Sequence, residues 1–334
     1  MNIPSEYRKL VAVRSSDNLR EAVEIQTVPM PELAADELLV RTRYSGVNAA
    51  DYLVAAGRYL APTPPPYDLG AEALGEVVAV GAEVQGLAVG MPVLALGGGH
   101  CEYFTVQARR AIPVPELRPE LITLGISGLT ASIALQEAGA MSSGETVLVS
   151  AAAGGTGSFV VQLAKIAGNH VIGTCGSAEK ADFLRSIGCD RPINYREESL
   201  KDVLKAEYPK GVDIVFESVG GETFDACLKA LAVKGRLIAI GAISEYEKGP
   251  EIVSGPRVLY ALLQKSASIR GFWLAHYFRQ APEHLAKLLG LMQAGKLQAA
   301  LDPARFVGVE GALDAIEHMY RGANVGKVVV EYPA

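Results

Sequence analysis

A run of small residues follows a short apolar segment in the middle of the chain. Thr146 to Ser150 has the composition of a strand, Ala151 to Gly157 contains three glycines, and an apolar helical pattern continues to about Ala167. Missing side chains let backbone N–H groups approach a pyrophosphate, and the start of the helix adds a favourable dipole. We therefore predict a dinucleotide-binding turn. A tight turn of any parallel sheet is the alternative, because Ala152 replaces the first glycine of the usual G-x-G-x-x-G pattern.

The end of the next predicted strand indicates which dinucleotide would fit. In NAD-binding units an Asp or Glu about 20 residues further on binds the ribose 2′-hydroxyl. The strand His170 to Cys175 is instead followed by Gly176 and Ser177, and the first charges are Glu179 and Lys180. A cation beside small residues suits a 2′-phosphate, which favours NADP(H). The alternative is that Lys180 is a solvated helix residue.

Several other catalytic patterns are absent from the sequence. The five histidines show no metal-ligand spacing, and four scattered cysteines suit neither a disulfide framework nor a zinc cluster. There is no G-x-S-x-G elbow, which leaves hydrolase chemistry without a visible nucleophile. No tyrosine has a lysine four residues on, so the Tyr-x-x-x-Lys proton relay is excluded. We expect no metal, and reduced thiols in a cytoplasmic protein.

The predicted elements around these residues follow two different patterns along the chain. Short strands broken by Gly and Pro extend to about Leu124, and Ala61 to Pro66 reads as a surface loop because successive prolines remove donors. From Gly125 onward strands and helices alternate, which predicts a parallel sheet covered by helices. The pattern predicts a helix over Thr223 to Ala232 and a strand over Arg236 to Ile240.

Length, composition and net charge limit the class of protein that this chain can be. A length of 334 residues favours two domains, and 49% hydrophobic with 20% charged residues is typical of a folded protein. The net charge is −6 with no basic block, so nucleic acid is not an expected partner. No run of about 18 apolar residues is present, so we expect no membrane span. The predicted fold class is α/β, a Rossmann parallel-sheet domain plus a β-rich partial-barrel domain.

Four motifs resemble those of one family. Ser45 to Asp51 looks like G-V-N-x-x-D, Gly70 to Gly75 like G-x-E-x-x-G, Ala151 to Gly157 like A-A-x-G-G-x-G, and Asn324 to Val330 like N-x-G-K-x-V-V. The chain thus resembles the medium-chain dehydrogenase/reductases, in the branch of zinc-free quinone oxidoreductases and prostaglandin reductases. The resemblance implies a GroES-like catalytic domain over residues 1–124 and 296–334, and a Rossmann cofactor domain over 125–295.

The resemblance also implies a set of NADPH-binding residues. Thr156 and the neighbouring glycines would hold the pyrophosphate, and Gly176, Lys180 and Tyr195 would surround the 2′-phosphate. Ser218 and Gly241 to Ile243 would line the ribose path, with Phe272, Trp273 and Asn324 at the nicotinamide end. The expected set comprises Thr130, Gly154, Gly155, Thr156, Gly157, Gly176, Ser177, Lys180, Tyr195, Ser218, Gly241, Ile243, Phe272, Trp273 and Asn324. Without the family, Tyr195 would be taken as a surface tyrosine and Trp273 as a core or interface residue.

The resemblance implies chemistry without zinc, because Asn48 and Ala71 stand at the positions of the zinc-binding cysteine and histidine of other relatives. Hydride transfer to the β-carbon of an α,β-unsaturated ketone needs only donors for the enolate oxygen. The candidates are Asn48, Tyr59 and the ribose hydroxyl of the cofactor. Asn48 could equally cap the helix that follows it.

The expected substrate is a small apolar conjugated carbonyl compound, such as an enone or a 15-oxoprostaglandin, and we expect a homodimer. The apolar acceptor would lie in a cleft walled by Tyr59, Pro64 to Tyr67 and Trp273. Quinone reduction is an open alternative, because quinones are also flat conjugated carbonyls. A structural or regulatory protein that binds NADPH without turnover is the alternative of another class.

Overall fold

The computed structural model describes residues 3–59, 64–246, 252 and 257–333. Its strands are β1 Glu6–Ala12, β2 Val23–Pro29, β3 Glu37–Gly46, β4 Tyr67–Asp68, β5 Glu72–Val80, β6 Pro92–Leu96, β7 Tyr103–Gln107, β8 Ala111–Pro113, β9 Thr146–Val149, β10 His170–Cys175, β11 Arg191–Asn194, β12 Val212–Glu217, β13 Leu231–Ala239, β14 Ser268–Gly271, β15 Phe306–Val307 and β16 Val329–Glu331.

The α-helices alternate with these strands mainly in the second half of the chain. They are α1 Leu19–Ala22, α2 Ala49–Ala55, α3 Pro119–Ile122, α4 Leu129–Glu137, α5 Gly155–Ile166, α6 Ala178–Ser186, α7 Leu200–Glu207, α8 Gly221–Lys229, α9 Leu259–Leu263, α10 Ala281–Gln293 and α11 Gly308–Tyr320. The chain divides into two compact units, which we call the β-rich unit (residues 1–126 and 299–334) and the α/β unit (residues 127–298).

The β-rich unit contains a seven-stranded and a three-stranded sheet. The larger sheet has the order β15-β16-β3-β5-β6-β8, with β7 paired to β3, and the smaller sheet has the order β2-β1-β4. Leu38 and Val40 on β3 pack with Ala73 and Val77 on β5 in one buried cluster. Their alternation along each strand places one face of the sheet in the core.

The α/β unit is built on a six-stranded sheet with the order β11-β10-β9-β12-β13-β14. Each neighbouring pair of its strands is parallel. Leu148, Ile172 and Val215, from three neighbouring strands, are fully buried in its core, as expected for a sheet covered on both faces. The predicted Rossmann-type sheet is therefore confirmed.

Three local predictions differ from the structure. Helix α8 ends at Lys229, and Leu231 and Ala232 already belong to β13. The pairing of β13 with β12 shifts between Val212 and Ile214, and Lys234 has a φ of 64°, so a bulge accommodates the extra residues. Tyr67, expected in the loop that walls the cleft, instead pairs with β1 as part of β4. Of the predicted proline loop, residues 61–63 lie outside the described residues.

Candidate active site

The glycine turn lies between β9 and α5. Ser150 to Ala153 form the turn, Gly154 caps the helix, and α5 begins at Gly155. A Cβ on Gly157 would lie 2.5 Å from the carbonyl oxygen of Ala151 and 2.7 Å from Cα of Ala152. Only glycine therefore lets the helix start so close to the turn. The N–H groups of a first helical turn have no partner within the helix, and they can bind a pyrophosphate there.

A second group of predicted residues lies at the ends of β9 and β12, which are neighbours in the sheet. The backbone N–H of Ser218 donates to Ser150 Oγ at 2.8 Å, and Ser150 Oγ lies 3.1 Å from Glu217 Oε1. The chain runs from β9 outward to β10 and β11, and then crosses over to β12. Ser150 and Ser218 thus mark the point where the strand order reverses, the place where open parallel sheets bind their ligands.

Glu217 fixes the turn that follows β12. Its side chain is 1% exposed and accepts hydrogen bonds from the backbone N–H groups of Val219, at 2.8 Å, and Gly220. Burial raises the pKa of Glu217, and these donors act in the opposite direction. The carboxylate holds the Ser218 turn in one conformation. Sequence reasoning missed this residue, although a charge at the end of the apolar strand V-D-I-V-F-E was an available signal.

The expected ribose and nicotinamide residues follow the next strands along the same edge. The N–H of Ile243 donates to the carbonyl of Ser218 at 3.2 Å, and a Cβ on Gly241 would lie 3.4 Å from that carbonyl oxygen. Phe272 comes directly after β14, and its ring stacks on that of Tyr277. Trp273 follows it and is half-buried. Because the strands are parallel, their carboxyl ends meet at one edge of the sheet.

The expected 2′-phosphate residues cluster at the end of β10. A Cβ on Gly176 would lie 2.5 Å from the hydroxyl of Tyr195, so the glycine and the tyrosine are in direct contact. The Tyr195 side chain is 57% exposed, although it adjoins this contact. Ser177 caps α6 and accepts a hydrogen bond from the N–H of Lys180 at 3.2 Å.

The side chains around the end of β10 include a positive charge that suits a phosphate. Burial raises the pKa of the Cys175 thiol, while the charges of Lys180 and Arg185 act to lower it and that of Glu197 acts to raise it. Lys180 lies in the first turn of α6, directly after this strand end, whereas Arg185 pairs with Asp182 near the end of the helix. The small residues Gly176 and Ser177, the Tyr195 hydroxyl and the Lys180 ammonium fit the 2′-phosphate of NADP(H).

Two other predicted cofactor residues lie elsewhere. Thr130 is in the first turn of α4 in the α/β unit, and it is almost buried. Asn324 belongs to the β-rich unit, where its side-chain N–H donates to the carbonyl of Gly326 at 2.8 Å. Their place in the cofactor set remains a prediction.

In the β-rich unit, Asn48 is part of a buried polar network. Its Nδ2 donates to the carbonyl of Gly46 at 3.0 Å and to Glu72 Oε1 at 3.1 Å, and its Oδ1 accepts from Lys327 Nζ at 2.7 Å. Both amide hydrogens are thus donated within the unit. A direct bond from Asn48 to a substrate oxygen would require one of these to be exchanged, a constraint that sequence reasoning did not foresee.

The network continues on the other side of Asn48. Its backbone N–H donates to Asp51 Oδ2 at 2.7 Å, which fixes the first turn of α2. His100 is fully buried, with Nε2 3.4 Å from Asp51 Oδ2 and Nδ1 2.9 Å from Ser45 Oγ. His100 is therefore a structural support for the start of α2.

Tyr59 lies four residues beyond the end of α2 and is half-buried. Arg58 beside it pairs with Asp17 at 2.8 Å. The Tyr52 hydroxyl, on the same helix, donates to the carbonyl of Asp17. These contacts tie the segment before Tyr59 to the chain around Asp17.

No metal site emerges from the described part of the chain, in which no group of three or more His, Cys, Asp and Glu side chains could hold a metal ion. Of the two positions discussed above, Asn48 is committed to the polar network and Ala71 is half-buried. The parallel sheet has a glycine turn after β9, and no acidic residue stands directly after β10. Together with a separate β-rich unit, these features define a two-domain dinucleotide-dependent oxidoreductase.

Comparisons with known proteins agree with that class. The chain matches the model of the alcohol dehydrogenase GroES-like domain over residues 34–135 and that of the zinc-binding dehydrogenases over residues 155–293. It is 49% identical to prostaglandin reductase-3 of Mus musculus, over 99% of this chain and 91% of that protein. The chain belongs to the medium-chain dehydrogenase/reductase superfamily, and the predicted family is confirmed.

Other relatives extend the comparison. A probable quinone oxidoreductase of Leishmania amazonensis is 44% identical over 99% of both chains. A 2-alkenal reductase (NADP(+)-dependent) of Nicotiana tabacum is 39% identical over 62% of this chain and 60% of its own length. The structure of Escherichia coli quinone oxidoreductase complexed with NADPH has a TM-score of 0.87 and 27% identity, covering 97% of this chain and 99% of that chain.

Proposed function

We propose that this protein is an NADPH-dependent, zinc-independent reductase of the carbon-carbon double bond in α,β-unsaturated ketones. Residues 1–124 and 296–334 would form its catalytic domain, and residues 125–295 its cofactor domain. The observation that carries the proposal is the 49% identity to prostaglandin reductase-3 along 99% of the chain. The acid-free end of β10 supports NADPH as the cofactor, and the substrate is a small apolar conjugated carbonyl compound.

Different residues at the edge of the parallel sheet bind different parts of NADPH. Gly154 to Gly157 hold the pyrophosphate, and Gly176, Lys180 and Tyr195 hold the 2′-phosphate. Ser218, Gly241 and Ile243 line the ribose path, with Phe272 and Trp273 toward the nicotinamide. Bound NADPH supplies a hydride for the β-carbon of the substrate.

The β-rich unit has to stabilise the negative charge that develops on the carbonyl oxygen. A preorganised donor aimed at such an oxygen contributes roughly 3 kcal/mol. We assign that role to the Tyr59 hydroxyl, which can also deliver a proton to the α-carbon. Asn48, whose two amide hydrogens are committed within the unit, supports the segment that leads to Tyr59.

Quinone reduction is the second candidate, and the full-length similarity to the Leishmania protein favours it. Both reactions would use the same NADPH site. Measuring NADPH consumption with 15-oxoprostaglandins, simple enones and quinones side by side separates them. We expect the enones to be reduced with the higher kcat/KM, whereas turnover of quinones alone would replace the proposal.

We also propose that the protein acts as a homodimer in the cytoplasm. The described residues contain no helix with the length and apolar character needed to cross a membrane. Light scattering of the purified protein measures its mass in solution and tests the dimer.

A further inference from the structure

A buried ion pair adjoins Asn48. Lys327 Nζ lies 2.5 Å from Glu72 Oε1 and 2.7 Å from Asn48 Oδ1. The Glu72 side chain is 0% exposed and that of Lys327 is 3% exposed. The pair joins β5 to the segment before β16, which lie far apart in the sequence but in the same unit.

The surrounding backbone leaves space for the carboxylate of Glu72. A Cβ on Gly46 would overlap Glu72 Oε1 and lie 2.9 Å from Lys327 Cε, and a Cβ on Gly125 would overlap Glu72 Oε2. Glu72 Oε2 also accepts a hydrogen bond from the N–H of Ile126 at 2.7 Å. Each oxygen of this carboxylate therefore has its own partners, and the two glycines allow them to approach.

The pair dictates the orientation of the Asn48 amide. Its oxygen faces the Lys327 ammonium, and its nitrogen faces the Glu72 carboxylate and the carbonyl of Gly46. A flipped amide would place NH₂ against the ammonium and oxygen against the carboxylate, so that every contact would become repulsive. A buried ion pair adds little net stability compared with apolar residues of similar volume. The main effect of this pair is therefore to fix the orientation of the Asn48 amide.

We propose that Glu72 and Lys327 are positioning residues for the reaction: their ion pair fixes the Asn48 amide and, through α2, the segment that carries Tyr59. This inference rests on the proposed function, since it concerns the same reaction. It goes further by assigning a role to two charged residues that are not among the residues expected to bind the cofactor.

The decisive variant is the double substitution Glu72→Gln with Lys327→Met, which removes both charges and keeps similar volumes. Removing one partner alone would leave a buried charge unpaired and endanger folding, so thermal unfolding is measured for each variant. We expect the double variant to fold and to bind NADPH with an unchanged Kd, while kcat falls at least tenfold. Lys327→Arg, which keeps the charge, should retain more of kcat than the double variant.

The control is the ion pair between Arg41 on β3 and Glu76 on β5, at 3.0 Å, because Glu76 lies on the same strand as Glu72. Arg41→Met with Glu76→Gln should leave kcat within about twofold of wild type. All variants are measured with whichever acceptor the wild-type protein reduces, so a wrong substrate class is not mistaken for a wrong role of the pair. Wild-type kcat in the folded double variant would overturn the proposal, as would an equal loss in the control.

A second measurement does not depend on turnover. The side-chain amide hydrogens of Asn48, observed by NMR after assignment through Asn48→Ala, should exchange slowly with solvent in the wild type. We expect exchange to accelerate at least tenfold in the double variant. Unchanged protection would mean that the amide is held without the pair, and would refute the inference.

Discussion

At the scale of single residues, two buried carboxylates show how similar groups serve different ends. Glu72 is neutralised by the Lys327 ammonium, whereas Glu217 is held by backbone N–H groups and the Ser150 hydroxyl. The first organises the surroundings of Asn48 in the β-rich unit, and the second organises the Ser218 turn in the α/β unit. The sequence places Glu72 in a motif and Glu217 at the end of an apolar strand, but it does not indicate their distant partners Lys327 and Ser150.

The contact between Gly176 and Tyr195 could be anticipated from the family motifs, and so could the approach of Ser218 to Ile243. The commitment of both Asn48 amide hydrogens could not, because Glu72 and Lys327 are 24 and 279 positions away. Motifs containing these two residues were visible, but a motif does not state which of its side chains meet. Long-range polar contacts are decided by the folded chain.

Lys180→Ala tests the cofactor assignment at a single residue. A charge-assisted hydrogen bond contributes roughly 1.5–3 kcal/mol, so the affinity for NADPH should fall by about one to two decades while that for NADH barely changes. Binding is measured by fluorescence titration with both cofactors. Lys201→Ala, at an exposed position on α7, is the control, and equal losses for the two cofactors would sink the assignment.

Tyr59→Phe tests the donor that we assign to the enolate oxygen. Loss of such a donor costs about 10²–10³ in kcat in enzymes where it has been isolated, so we expect kcat to fall by at least about tenfold with little change in the Kd for NADPH. Stopped-flow measurement of hydride transfer separates the two effects. Tyr103→Phe, on β7 of the same unit, should behave as the wild type. A variant in which only cofactor binding weakens would argue against the role of Tyr59.

At the scale of elements, strands with clear patterns were predictable and irregular segments were not. His170–Cys175 and Val212–Glu217 lie where their apolar runs predict them. Strand β2 was not predicted, because much of it is exposed and it pairs only with β1 in the order β2-β1-β4. The helical pattern up to Ala232 was misleading, because pairing with β12 draws Leu231 into β13 and tertiary pairing overrides local preference.

Two glycines on helices of the α/β unit give a matched pair of variants. Gly157→Ala places a Cβ against the backbone of Ala151 and Ala152, whereas a Cβ on Gly290 in α10 would meet nothing within 4 Å. We expect Gly157→Ala to lower the free energy of unfolding by about 1–3 kcal/mol and to weaken NADPH binding. Gly290→Ala should raise that free energy by about 0.5–1 kcal/mol. Urea unfolding measures both, and equal effects would refute the close packing at the turn.

The ion pair between Arg236 and Glu145 makes the stability of this unit depend on pH. Arg236 also donates to the carbonyl of Gly139, so it joins β13 to the chain after α4. Burial acts to raise the pKa of the Glu145 carboxyl, but hydrogen bonds from Arg236 and the N–H of Ser142 hold it below the ordinary value of 4.5. A lowered pKa means stability that is present above the ordinary value and is lost as the pH falls through the folded-state value.

Glu145→Gln should therefore be less stable than the wild type at about pH 7, by roughly 1–2 kcal/mol, and the difference should shrink as the pH falls toward about 3. Urea unfolding across this range measures it. Glu83→Gln, at an exposed position of the other unit, should show no such convergence. A difference that grows in acid would contradict the account.

At the scale of the whole molecule, the proposed function assigns NADPH to the α/β unit and the groups that act on the acceptor to the β-rich unit. The reversal of strand order between β9 and β12 supports the proposed place of NADPH at the ends of these strands. In the β-rich unit, the polar network around Asn48 fixes the start of α2. Fold and family were predictable because both follow from patterns spread along the chain. The acceptor was narrowed only to a class, because its recognition depends on a few side chains such as Tyr59.

Isotope labelling shows whether the hydride goes to the β-carbon of a conjugated ketone. Turnover of an enone with NADPH that carries deuterium at C4 is followed by NMR and mass spectrometry of the product. We predict a saturated ketone with deuterium at the β-carbon. An allylic alcohol with deuterium on the former carbonyl carbon would contradict the account, and so would quinol formation without any turnover of enones.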